Sequence, residues 1–301
     1  MSGGGGDGIS VVVVIVDFVM SFLYAWISVF IKIFVYRILG FHHDALGEAV
    51  LITFKIFNTI LFQFLSKKLK GGTYNPITVL YHSITGDFNH ILFALNARIP
   101  AQVIGAIYAV KLIKKYVPGP GFGPHVNVPL LQGALIEGAL TLVYVTISMV
   151  SASKVHSGFF LKAWISAVCK NALIVIGSDY TETSINPASV VGWAYARGQA
   201  LSDEHLLVYW IFPFEATLLA VWISSFLVKP HKEEKEKVKV IERRKKMTML
   251  LMGLSFQTMA DLIVAGFSLV IGLGIFAFTA SVLCSAAFIY NAKLVSSNSS
   301  S

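Results

Sequence analysis

Of the 301 residues, 55% are hydrophobic and only 13% charged, against roughly a quarter charged in soluble domains; that excludes a soluble globular domain and points to a chain that crosses a membrane repeatedly. The formal net charge of +8 does not make a nucleic-acid surface, because the lysines and arginines gather between apolar segments and in one block, KPHKEEKEKVKVIERRKK, at 229–246, as the positive-inside rule requires. The two cysteines, Cys169 and Cys284, lie inside apolar runs, so neither a disulfide framework nor a zinc site is expected.

The amino-terminal MSGGGGDG has no basic region, and the apolar stretch behind it is too long for a signal-peptide core, so the first span is expected to be retained. A spanning helix needs about 20 apolar residues. In chain order, six segments qualify: 9–36, 46–66, 97–116, 129–150, 159–177 and 204–228. Two other apolar stretches, 75–86 and 186–198, are too short; as helices each would be about 17 Å long, half a bilayer. Both open on Asn-Pro, in TYNPITVL at 73–80 and in INPASVV at 185–191. The connection GPGFGPH at 119–125 is no phosphate loop, since no strand precedes it and no P-loop lysine follows.

Half-length helices are tolerated in a membrane only where protein surrounds them or water reaches them, and two in corresponding places indicate a duplication with a site at the midplane. The chain matches itself accordingly. Asp17, Ser21 and Tyr24 coincide with Glu137, Thr141 and Tyr144; N-P-I-T-V coincides with N-P-A-S-V; Pro100 follows the first box as Pro213 follows the second. Each half has an odd number of full spans, so the second enters from the opposite side. The two half-helices are then expected to meet tip to tip.

Proline suits the first position of a helix, and asparagine is a leading N-cap. Asn75 and Asn186 are therefore expected to cap their half-helices, each leaving its carboxamide NH₂ free to orient a passing water. The facing helix N-termini add partial positive charge, which disfavours cations and protons.

Six spans and two half-helices bearing Asn-Pro boxes resemble the aquaporin (major intrinsic protein) family over about residues 9–230. The resemblance implies an all-α membrane fold, six transmembrane helices plus two half-helices in an inverted repeat. The second box, Asn186, Pro187 and Ala188, is the family's NPA, whereas the first, Asn75, Pro76 and Ile77, departs from it. That altered box, the basic sequence, GGTYNPITVL, RIPAQVIGAI, GSDYTETSINPASVVGWAYARG and EHLLVYW are similar to the plant small basic intrinsic proteins, SIP2 subgroup. The implied protein is a homotetrameric channel of the endoplasmic reticulum membrane, passing water or another small neutral solute through the lipid bilayer. It needs no cofactor and binds no nucleic acid.

The resemblance also implies a four-residue selectivity filter, which counting from the boxes puts at Lys55, Ile174, Thr183 and Ser189. Where most members carry arginine, this chain has Ser189, which removes five fixed donors and a charge from the narrowest point. Lys55 has two readings: it supplies that charge from another wall, or it snorkels to the interface. Asp17 and Glu137 resemble the family's buried acids, which hold loop amides in place. His82 faces the lumen or packs against a polar group of a neighbouring helix, and His42 and His43 belong to a solvated loop.

The expected organisation is a channel domain over 1–228, with halves at about 9–116 and 129–228, a basic tail at 229–246, and an apolar extension at 247–301. That extension is either a seventh span or a gene-model artefact. Lys67, Lys68, Lys70, Lys154, Lys162 and the basic block share the cytosolic side, while Lys111, Lys114 and Lys115 violate the charge rule. Two other functions compete with a channel: a secondary transporter, which also uses broken helices, and a poorly conducting scaffold. An enzyme is excluded by the lack of a nucleophile with a positioned base, a metal cluster or a cofactor loop.

Overall fold

A computed structural model of the protein describes residues 4–228 apart from 118, 120, 122, 156 and 157, with side chains from residue 11 onward. The basic block at 229–246 and the apolar extension at 247–301 lie outside the described residues. All regular structure among the described residues is helical: α1 (Gly4–Ile33), α2 (Ala45–Lys68), α3 (Pro76–Ile84), α4 (Phe88–Phe93), α5 (Ile99–Tyr116), α6 (Leu130–Lys154), α7 (Phe159–Thr181), α8 (Pro187–Ala196), α9 (Asp203–Leu206) and α10 (Phe212–Leu227). A π turn at Ala94–Arg98 joins α4 to α5, and another at Leu207–Ile211 joins α9 to α10. Among the described residues, six continuous helices are then long and apolar enough to cross a membrane: Val11–Ile38, Ala45–Lys68, Phe88–Tyr116, Leu130–Lys154, Phe159–Thr181 and Asp203–Leu227.

Side chains set the helix starts. Asp44 Oδ1 accepts from the Gly47 N–H at 2.8 Å to open α2, Asp87 Oδ1 from the His90 N–H at 3.1 Å to open α4, and Ser202 Oγ from the His205 N–H at 3.2 Å to open α9. Each such cap contributes about 1 kcal/mol. The third span therefore begins at Phe88 and not at the expected 97.

The duplication is visible in the backbone. These two π turns each begin six residues before a proline, Pro100 in one half and Pro213 in the other, whereas a third, Phe34–Ile38 at the end of α1, has no such proline. Proline has no N–H to donate and its ring crowds the carbonyl four residues back, and a widened turn relieves both. Packing repeats as well: α1 lies on α5 as α6 lies on α10, and each half-helix docks on the other half, α3 on α10 and α8 on α5. These approaches depend on glycine. A Cβ at Gly105 would stand 2.3 Å from the Phe18 carbonyl oxygen, and one at Gly192 would stand 2.8 Å from that of Ala106.

The polarity of the bundle is inverted relative to a soluble protein. Val11, Ile15, Leu131, Phe160 and Ile176 are exposed, whereas Asp17, Gln102, Glu137, Lys170, Asn171 and Thr181 are buried. Hydrocarbon solvates the outer residues, and the bundle interior is where membrane proteins keep polar groups. The lysines that break the charge rule have local partners: Lys114 Nζ donates to the Ala196 carbonyl at 3.3 Å, at the negative end of α8, and Lys111 Nζ lies 5.6 Å over the Tyr195 ring.

Candidate functional site

The half-helices α3 and α8 meet at their N-termini. Asn75 Oδ1 accepts from the Ile77 N–H at 3.0 Å and so caps α3, while Asn75 Nδ2 donates to the Ile185 carbonyl at 2.8 Å, one residue before the second box. Ile185 is 2% exposed and holds φ +47°, a left-handed conformation that costs a β-branched residue about 1–3 kcal/mol. That turn presents its carbonyl to Asn75. Pro76 and Pro187 sit at the first helical positions.

The two asparagines differ, contrary to expectation. Asn186 makes no side-chain cap; its Nδ2 donates to Ser189 Oγ at 2.8 Å, and its buried Oδ1 has no hydrogen-bond partner among the described residues. Neither carboxamide NH₂ is wholly free, since Asn75 gives one bond to Ile185 and Asn186 one to Ser189.

The buried acids anchor the segments that lead into the boxes. Asp17 Oδ1 accepts from the Thr73 N–H at 2.6 Å, and the Arg98 guanidinium grips the same carboxylate through Nε at 2.6 Å and Nη2 at 3.0 Å. Arg98 Nη2 also donates to the Gly71 carbonyl at 2.7 Å and Gln102 Nε2 to that of Thr73 at 2.9 Å, so the chain into α3 is held from three sides. In the second half the link passes through hydroxyls. Thr181 Oγ1 donates to Glu137 Oε1 at 2.8 Å and lies 2.7 Å from Thr183 Oγ1, and the Tyr209 hydroxyl donates to the Thr181 carbonyl at 2.6 Å.

Of the four expected filter positions, Ser189 lies against Asn186, and Thr183, buried, joins the Glu137 chain. Ile174 and Lys55 are half-buried on α7 and α2; the charged groups around Lys55 are Lys32 and Glu48. No hydrogen bond among the described residues ties these two to Thr183 or Ser189. His82 is exposed, leans on Tyr81 of its own helix, and lines a cavity.

That cavity, of about 340 Å³, lies between α2, α3, α6 and α7 and is bounded by Phe62, Tyr74, Thr78, Tyr144, Ser148 and Ser166 among others. Beside it is a group that sequence reasoning passed over. Lys170, 1% exposed on α7, places Nζ 5.2 Å from the Tyr74 ring centroid, 5.6 Å from that of Tyr24 and 6.0 Å from that of Tyr144. Tyr24 stacks on Tyr74 at 3.9 Å, and Phe62 packs edge-on against both. The signal available in the sequence was Lys170, a lysine in the middle of the span at 159–177 and well away from Lys162 near its end, together with the matched tyrosines 24 and 144.

No family model matches the chain. It is 45% identical over 227 residues to a probable aquaporin SIP2-1 of Arabidopsis thaliana, covering 75% of this chain and 96% of that one. Aquaporin SIP2-1 of Zea mays is 41% identical over 71% of this chain and 88% of its own. Aquaporin SIP2-1 of Oryza sativa is 38% identical over 74% and 90%. Among solved structures, the aquaglyceroporin from Plasmodium falciparum superposes with a TM-score of 0.52 at 16% identity, covering 82% of this chain and all of that one, a likeness of fold. Six spans, two half-helices joined at their tips, and relatives of this closeness together mean that the chain belongs to the aquaporin family, in its branch of small basic intrinsic proteins.

Proposed function

We propose that residues 1–228 form a passive channel for water or another small neutral solute, with Asn75 and Asn186 at its centre. The observation that carries this reading is the 2.8 Å bond from Asn75 Nδ2 to the Ile185 carbonyl, which brings the two half-helix tips together inside the bundle. Each NH₂ has a second hydrogen, and Asn186 Oδ1 is a buried acceptor without a partner among the described residues; a passing water suits all three. Two helix N-termini facing each other oppose a cation at that level.

In this reading Lys55, Ile174, Thr183 and Ser189 form the filter, with Ser189 leaving more room than an arginine. The channel assembles as a homotetramer in the endoplasmic reticulum membrane, an expectation that rests on the family resemblance. A secondary transporter would need an acid at the break available to an ion, and both are engaged: Asp17 by Arg98 and Thr73, Glu137 by Thr181. Osmotic shrinkage of proteoliposomes tests the proposal. A channel shrinks them faster than protein-free vesicles without dependence on an ion gradient; saturable, ion-coupled uptake overturns it in favour of a transporter, and flux equal to that of protein-free vesicles overturns it in favour of a scaffold.

A further inference from the structure

Lys170 lies against two of the tyrosines that bound the cavity, Tyr74 and Tyr144. Lys67, Ala152 and Lys162, near the ends of α2, α6 and α7, bound the cavity at one end; Phe62, Tyr74 and Tyr144 stand deeper on the same side of the bundle. Tyr144 is about 12 Å inward from Ala152 along α6. Tyr74 is the residue before Asn75, so the wall that closes the cavity is chemically continuous with the half-helix junction. Lys170 Nζ sits against that wall, within 6.0 Å of the ring centroids of Tyr24, Tyr74 and Tyr144 and with no hydrogen-bond partner among the described residues.

An ammonium has three donors and no acceptor. Ring faces attract its charge but take none of its hydrogen bonds in full, and burial without acceptors is costly. A space-filling role would be served by an uncharged side chain of the same length. A neutral solute would bring an oxygen to accept from Nζ, whereas a cation would bring like charge and no lone pair to offer. Building on the channel reading, we propose that Lys170, in its box of Tyr24, Tyr74 and Tyr144, is a second selectivity element. It stands between the cavity and the half-helix junction, repels cations, and donates to the oxygen of a passing water or other neutral solute.

The full chain is reconstituted as wild type, Lys170→Met and Lys170→Arg, each confirmed as monodisperse with a wild-type melting profile, and both osmotic shrinkage and potassium and proton leak are read. Lys170→Gln carries the same prediction if the methionine variant does not reconstitute. The expected result is a rise of about tenfold in cation leak for Lys170→Met, with water flux equal to or above wild type, and no rise for Lys170→Arg. Water flux in Lys170→Met but not in wild type overturns the proposal, since a box that closes the passage to water is a plug and not a selectivity element. If wild type moves water and Lys170→Met is as tight to cations, with the same water flux, the proposal fails and the channel reading stands. If no protein moves water above protein-free vesicles, both fail.

Discussion

Arg98 Nε donates to Asp17 Oδ2 at 2.6 Å, so that a carboxylate in the middle of α1 and a guanidinium at the start of α5 neutralise each other inside the bundle. The same carboxylate accepts from the Thr73 N–H, and the same guanidinium donates to the Gly71 carbonyl. The pair thus sets where α3 begins.

Removing Arg98 leaves the Asp17 carboxylate buried with the Thr73 N–H but no opposite charge, and removing the Asp17 charge leaves a partly buried guanidinium with the Gly71 carbonyl but no counter-ion. Asp17→Asn or Arg98→Gln is expected to cost about 3–5 kcal/mol, and the double variant to cost less than the sum, because no bare charge remains. Thermal unfolding in detergent across the four proteins measures this; additive losses would show that the two groups act independently.

The asparagines are expected to respond unequally. Asn75→Ala loses both the cap on Ile77 and the bond to Ile185 and should destabilise by about 1–3 kcal/mol. Asn186→Ala loses only the Ser189 contact and removes an unpartnered acceptor, so its loss should stay below about 1 kcal/mol. Melting profiles of the two variants decide the point, and equal losses would contradict the asymmetry seen at the junction.

Close helix crossings give a steric prediction. Gly105→Ala puts a methyl into the Phe18 carbonyl and Gly192→Ala puts one into that of Ala106; each obstacle is backbone, so about 1–3 kcal/mol should be lost at each. Gly158→Ala, where a Cβ meets nothing within 4 Å, is the control and should be near neutral. Expressed yield and melting temperature in detergent check all three.

Much of this architecture is legible in the sequence because hydrocarbon imposes it. Apolar length marks five spans to within a few residues, and Asn-Pro heads the two short helices because few residue pairs start a helix there. The third span escapes in part. Asn89, His90, Asn96 and Arg98 break the apolar count, yet Asp87 caps those turns and Asp17 holds Arg98. Lys170 escapes because a single lysine barely changes the mean hydropathy of its window, and the rings that receive it come from three distant segments. The bond from Asn186 to Ser189 escapes for a different reason: spacing places both residues at the first turn of α8, but the left-handed turn at Ile185 decides where the asparagine side chain goes.

The proposed filter gives a flux prediction. Ser189→Arg restores a bulky fixed charge where Asn186 now has a hydroxyl and should lower the flux of solutes larger than water while leaving water flux within about twofold. Lys55→Ala should change solute flux or proton leak. Vesicle swelling with a graded series of neutral solutes measures both, and unchanged profiles for both variants would remove these positions from the pathway.

The most direct test is stopped-flow osmotic shrinkage of vesicles holding the wild-type chain beside vesicles holding Asn75→Asp/Asn186→Asp, both confirmed folded, with cation leak read in parallel. The account predicts shrinkage faster than in protein-free vesicles for wild type and, with two carboxylates at the half-helix tips, a clear rise in cation leak for the variant. Wild-type shrinkage no faster than that of protein-free vesicles, or a variant with the same water and cation permeability as wild type, would contradict it.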